Sequence, residues 1–287
     1  MNLLLTEVKM MRGHIQAIRT VYWKNVLHLT RYKFDLLFWA ILPILWVIPI
    51  ILQGRAMAGG STSSAFARFA GTDDYLTFVV IGSVLWGFVM SALWGAGNSI
   101  RWEQQSGTLQ SLWSAPISRM DILIGTSLSE SLAMTLQVLF QLMIYSLILQ
   151  IPWNFSNALF ALIAICFMIA GLYGFGVFLA GLVLVYKEPE ALTEFMSQGL
   201  LILCPVRYSL KSLPTAARFA ALVIPFTLGI AIVRKALLED FTFWLRVDLL
   251  TLIFALILLD IILWGVGITL FIRMENRCRR DGSLDAY

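Results

Sequence analysis

The chain has 287 residues, 59% of them hydrophobic and only 13% charged, with a mean hydropathy of +0.82. That balance excludes a large soluble module and leaves one polytopic membrane domain. The net charge of +4 is no sign of nucleic-acid binding, because Lys and Arg in a membrane protein chiefly collect on the cytoplasmic side and set orientation.

Residues 1–34 read as a cytoplasmic amphipathic helix lying in the membrane interface. Ile15, Ile18, Tyr22, Val26 and Leu29 share one helical face, and Gln16, Thr20, Lys24, His28 and Arg31 share the other. A soluble helix resting on a partner protein is the competing reading. The membrane domain is predicted over 35–273, with spans at 36–54, 75–99, 121–149, 156–186, 190–208 and 249–272, and a cytoplasmic tail over 274–287. Pro43 and Pro49 fall inside the first span, where neighbouring helices can satisfy the freed carbonyls.

From Ser131 to Tyr186 there is no Asp, Glu, Lys or Arg. This is too long for one span of roughly 20 residues. Its middle, Gln150-Ile151-Pro152-Trp153-Asn154, reads as a turn with an interfacial Trp. Two spans joined by a tight hairpin follow. Further on, the apolar run 219–233 is short and broken by Pro225, which predicts a re-entrant segment in a region marked by Pro205, Tyr208, Pro214, Pro225 and Arg234. Six spans put both termini on the cytoplasmic side of a plasma (inner) membrane and leave Arg234 and Lys235 among the basic residues of an outer loop.

The fold class is thus an all-α integral membrane protein of six spans. The polar residues inside it are few. Glu130, Gln137 and Gln141 share a face of the third span with Met134 and Tyr145, and Asp260 lies near the middle of the last. Such groups usually face a bundle interior or a wet cavity. A hydrogen-bonded structural role, with Gln137 and Gln141 at suitable depth for Asp260, and a place in a substrate path both remain open. No Walker A loop occurs, and Cys166, Cys204, Cys278, His14 and His28 show no metal-ligand spacing. The glycines from Gly171 to Gly176 sit mid-span, where Ala170/Gly174 and Gly176/Ala180 give the spacing of close helix contact.

The most specific stretch is residues 101–119, RWEQQSGTLQSLWSAPISR. It resembles the cytoplasmic loop of ABC-2 type transporter permeases, E-x-x-x-G-T-L-E-x-L-x-x-x-P-[IVL]-S-R, through Glu103, Gly107, Thr108, Leu109, Leu112, Pro116, Ser118 and Arg119. It departs at Gln110, where the family usually has Glu. Pro205, Tyr208, Leu213, Pro214, Pro225, Thr227, Arg234 and Leu237 are similar to a later family pattern, and the tail from Arg280 to Leu284 to its ending. The resemblance implies a coupling helix that docks on a separate ATP-binding cassette ATPase, with Arg101, Trp102, Glu103, Gly107, Thr108, Leu109, Leu112, Trp113, Pro116 and Arg119 as its residues. It also implies a second permease copy, as a homodimer in contact with membrane lipids. ATP and Mg would sit on the partner subunit, with no cofactor or catalytic residue on this chain. The implied task is export of a drug-like, lipid or other amphiphilic substrate. A polysaccharide or glycolipid exporter of the same family, an intramembrane lipid-modifying enzyme and a passive channel or scaffold are the competing readings.

Overall fold

Long apolar runs in a bilayer can satisfy their backbone groups only as helices or closed barrels, and every long element of this chain is a helix. A computed structural model describes residues 2–58, 64–114, 117–151, 153–186, 189–238, 241 and 247–280, with no strand among them. In chain order the helices are α1 (Asn2–Arg31), α2 (Lys33–Ala58), α3 (Ser64–Ala70), α4 (Tyr75–Met90), α5 (Ser99–Gln105), α6 (Leu109–Ser114), α7 (Arg119–Leu149), α8 (Ala158–Tyr186), α9 (Pro189–Leu203), α10 (Thr215–Leu222), α11 (Pro225–Leu237) and α12 (Leu249–Arg280). A π-helical turn, Ser91–Ala96, extends α4 towards α5. Below, the lower end of the bundle is the one holding α1, α5, α6 and the last turns of α12. The upper end holds the α7–α8 connection.

Among the described residues five helices are long and apolar enough to cross a membrane: Leu37–Ala56, Tyr75–Ala96, Arg119–Leu149, Ala158–Tyr186 and Leu249–Cys278. The protein is an all-α integral membrane protein. The turn predicted between the third and fourth spans is there. Gln150 takes the left-handed conformation (φ 51°) that ends α7, and the indole of Trp153 donates to Ser146 Oγ at 2.7 Å. Pro152 lies outside the described residues.

The predicted fifth span, 190–208, is helical only to Leu203. A residue before proline is pushed out of the helical region, so the chain turns at Cys204-Pro205. The 15 residues of α9 extend about 22 Å, short of the ~30 Å hydrocarbon core. The next two helices, α10 and α11, meet at a bend of 90°.

The α10–α11 bend lies deep in the bundle. Pro225, at its start, faces Gly171 of α8 and Asp260 of α12, and Phe226 stacks edge-on against Trp86 of α4. Trp86, Gly171 and Asp260 are each roughly 16–20 Å from the upper ends of their helices. At its other end α11 returns upward, where Lys235 Nζ donates to the Val247 carbonyl, just before α12, at 2.6 Å.

Small residues hold the centre together. Trp264 of α12 donates to the Ala170 carbonyl at 2.8 Å, and a Cβ on Gly267 would lie 2.5 Å from the Gly174 carbonyl oxygen. On the other side of α8, Gly176 fits against the Ala92 carbonyl of the π-helical turn, where a Cβ would come within 2.7 Å. The two small-residue pairs therefore serve two different neighbours.

Arg234, which the sequence places at the end of the re-entrant segment among the basic residues of an outer loop, is 1% exposed. Its guanidinium donates to the carbonyls of Pro205 (2.6 Å), Val206 (2.7 Å) and Phe78 (2.9 Å), and its carbon lies 3.3 Å from the centre of the Phe78 ring. Among the described residues no carboxylate forms an ion pair with it. Gly82 makes the approach possible, since a Cβ there would clash with the Val206 carbonyl oxygen and crowd the guanidinium. Gly82→Val is expected to cost about 1–3 kcal/mol, the usual range for overpacking. A melting temperature equal to that of the parent chain in the same detergent would refute this arrangement.

Candidate functional site

The loop between α4 and α7 is built by local chemistry. Gly97 N–H reaches back five residues to Ala92 (3.0 Å), and Asn98 Nδ2 caps the Leu93 carbonyl at 3.1 Å while also donating to Thr193 of α9 at 2.9 Å. After α5, Gly107 adopts φ 70°, a conformation that favours glycine. Thr108 then folds back, its hydroxyl donating to Glu103 Oε2 at 2.5 Å and its N–H to the Glu103 carbonyl at 3.0 Å. Leu112 N–H donates to the Thr108 carbonyl at 3.0 Å, which opens α6. The segment ends in a capping box, in which Ser118 accepts from Met120 N–H and Asp121 from Ser118 N–H, both at 3.3 Å.

Three charged contacts tie this loop to the rest of the lower end. Lys24 of α1 pairs with Glu103 of α5, and Arg119 of α7 with Glu275 of α12. The His14 ring of α1 contacts Asp121 of α7 at 2.8 Å. A fourth polar contact, Asn25 Nδ2 to Ser129 Oγ at 3.0 Å, continues the seam along α1 and α7.

That seam rotates α1 relative to the face read from the sequence. Among its described side chains Ala17 and Val21 are buried, Ile18, Tyr22, Val26 and Leu29 are half-buried, and Ile15 is exposed. Gly125 of α7 is the reason. A Cβ there would meet Val21 Cβ at 2.8 Å and the Ile18 carbonyl at 2.9 Å, so the bare backbone draws α1 onto this line. Trp23 and Leu27 point outward instead.

The predicted coupling residues share one region. Trp102 is exposed, and Arg101, Glu103 and Leu112 are half-buried. Pro116 lies outside the described residues, as do the side chains of Leu109 and Trp113. The predicted intramembrane group does not come together. Gln141 is buried but donates to the Ala40 carbonyl of α2 at 3.3 Å, and Gln137 is half-buried on the same helix. Asp260 lies against Gly171 of α8 and near Pro225 of α11, on the side where the Gly174/Gly267 contact brings α12 onto α8. Its expected hydrogen bond to Gln137 or Gln141 is absent, and neither carboxylate oxygen has a partner among the described residues.

Glu130 has a different setting. It lies against Gly95 of the π-helical turn, within hydrogen-bonding reach of Ser91, whose hydroxyl is 3.0 Å from the Tyr173 hydroxyl of α8. Sequence reading missed Ser91, Asn98, Tyr173 and Thr193. The available signal was the cluster of hydrogen-bonding residues Ser91, Asn98 and Ser99 near the end of a mostly apolar span.

A family model described as ABC-2 type transporter matches residues 16–238, from within α1 to just past α11. A search of curated proteins finds no match.

The Lys24–Glu103 pair predicts a coupled response. Half-exposed pairs of this kind are worth about 0.2–1 kcal/mol. Lys24→Glu should therefore speed amide hydrogen exchange at Thr108 and Leu112 by up to about fivefold, and Lys24→Arg should keep the parent rate. Exchange rates unmoved by the single substitution would show that α1 does not hold the loop.

Proposed function

Since the chain belongs to the ABC-2 type transporter family, we propose that it is the permease half of an ATP-driven exporter of amphiphilic, drug-like or lipid substrates. In this reading two copies pair in a plasma (inner) membrane with both termini cytoplasmic. ATP and Mg bind a separate ATPase subunit beneath the lower end, and α6 is the helix that meets it. One observation carries the reading: α6 sits between two anchored helices, α5 held to α1 through Glu103–Lys24 and α7 held to α12 through Arg119–Glu275. A push on α6 is thereby passed to both sides of the bundle rather than absorbed in a free loop.

The same reading takes α10–α11 as a re-entrant hairpin from the outer face. The deep position of Pro225 and the return of Lys235 to the start of α12 support it. The intramembrane enzyme is disfavoured by the separation of Glu130 and Asp260, which lie on different helices with different neighbours.

Two measurements test these assignments. Leu112→Asp should weaken co-purification with the ATPase subunit, because truncation of a buried anchor typically costs about 2 kcal/mol or more; undiminished co-purification with intact membrane insertion would remove α6 as the docking element. For topology, Thr215→Cys and Lys235→Cys, each in a chain lacking Cys166, Cys204 and Cys278, should both react with an impermeant thiol reagent from outside. Reaction of Lys235→Cys from the cytoplasmic side alone would mean that the bent pair crosses the membrane.

A further inference from the structure

A cavity of about 210 Å³ opens at the lower end between α1, the π-helical turn, α5 and α7. Its chemistry is one-sided. Glu130 and Glu103 line it together with Asn25, His28, Ser129 and Trp102, and among the described residues no Lys or Arg does. Glu103 is occupied by Lys24 and Thr108. Glu130 forms no ion pair among the described residues. Gly95 makes room for it, since a Cβ there would lie 2.9 Å from the Glu130 carboxyl carbon. At the rim, the exposed ring of Trp102 offers a face of the kind that attracts cations.

We propose that this cavity binds the ammonium group of an amine-bearing amphiphile whose tail stays outside it. The size decides between head and whole molecule. Sites that enclose a drug-sized ligand usually measure about 300–1,000 Å³, and this one is smaller. Hydrogen-bond acceptors at Asn25 and Ser129 suit a primary amine, and the Glu130 carboxylate supplies the opposite charge. This inference rests on the exporter reading above for its role in transport and adds to it the class of substrate head group.

The test uses the full chain in lipid nanodiscs, with calorimetric binding corrected for partitioning into empty discs. Dodecylammonium should bind saturably, dodecyl sulfate should not, and propylammonium should bind much more weakly, which would separate an amphiphile from a free amine. Glu130→Gln should weaken dodecylammonium binding about tenfold, the scale of one hydrogen bond to a charged group, and Trp102→Ala a few-fold. Trp102 is exposed, so its substitution reports on the site even if Glu130→Gln fails to fold. Unchanged affinity in a folded Glu130→Gln or in Trp102→Ala, equal binding of dodecyl sulfate, or equal binding of propylammonium would each overturn the proposal. Intact dodecylammonium binding without ATPase stimulation in the assembled complex would instead leave the site standing and remove the exporter reading.

Discussion

A single guanidinium that no carboxylate neutralises among the described residues sets the geometry of the upper half of this bundle. An Arg inside a membrane protein is costly, and the cost must be met by partners that stay in place. Arg234 finds them in backbone carbonyls. Two are available because Pro205 ends α9 and leaves the following carbonyls outside a helical ladder. The third, that of Phe78, is in the first turn of α4, where the residue one turn on is Gly82 and no side chain shields it. Helix ending, glycine and arginine thus form one device. It fixes α11 to α4 and to the end of α9 together, and so sets how deep the bend at Val223-Ile224 lies.

The lower half is held differently. Beside the packing of Val21 on Gly125, its contacts include pairs of charged side chains, of which an exposed one contributes little to stability. Their value is positional. The Arg119–Glu275 pair is the more buried of the two Lys/Arg pairs, its side chains 17% and 12% exposed, whereas Lys24 is half exposed. The loop is consequently gripped firmly on the α12 side and lightly on the α1 side. A clasp with one firm and one light arm suits an element that must yield in one direction.

The long spans were legible in the sequence because their signal is only length and apolarity, and the turn at Gln150-Trp153 because its residues act locally. Arg234 was not, since its partners are carbonyls and leave no mark in side-chain identity. The line along which α1 packs on α7 was not legible, because Gly125, on another helix, decides which line of α1 approaches closest. Asp260 was matched to Gln137 and Gln141 by depth alone, and depth says nothing of azimuth. The true neighbours, Gly171 and Pro225, are set by glycine contacts between α8 and α12. The π-helical turn at Ser91–Ala96 has no residue that announces it. It appears only where α4 must pass both Tyr173 and Glu130.

The Arg234 cage also constrains biosynthesis. Every acceptor it uses, at Phe78, Pro205 and Val206, precedes it in the chain. When α11 emerges from the insertion machinery, α4 and α9 have already been made and can be waiting as a preformed polar slot. A bare arginine would otherwise oppose partitioning into lipid by roughly 2.5–3.5 kcal/mol on the insertion scale. α11 therefore meets its polar partners already made, with α12 alone still to follow, and the order in which the gene is read is itself part of how this helix reaches its depth.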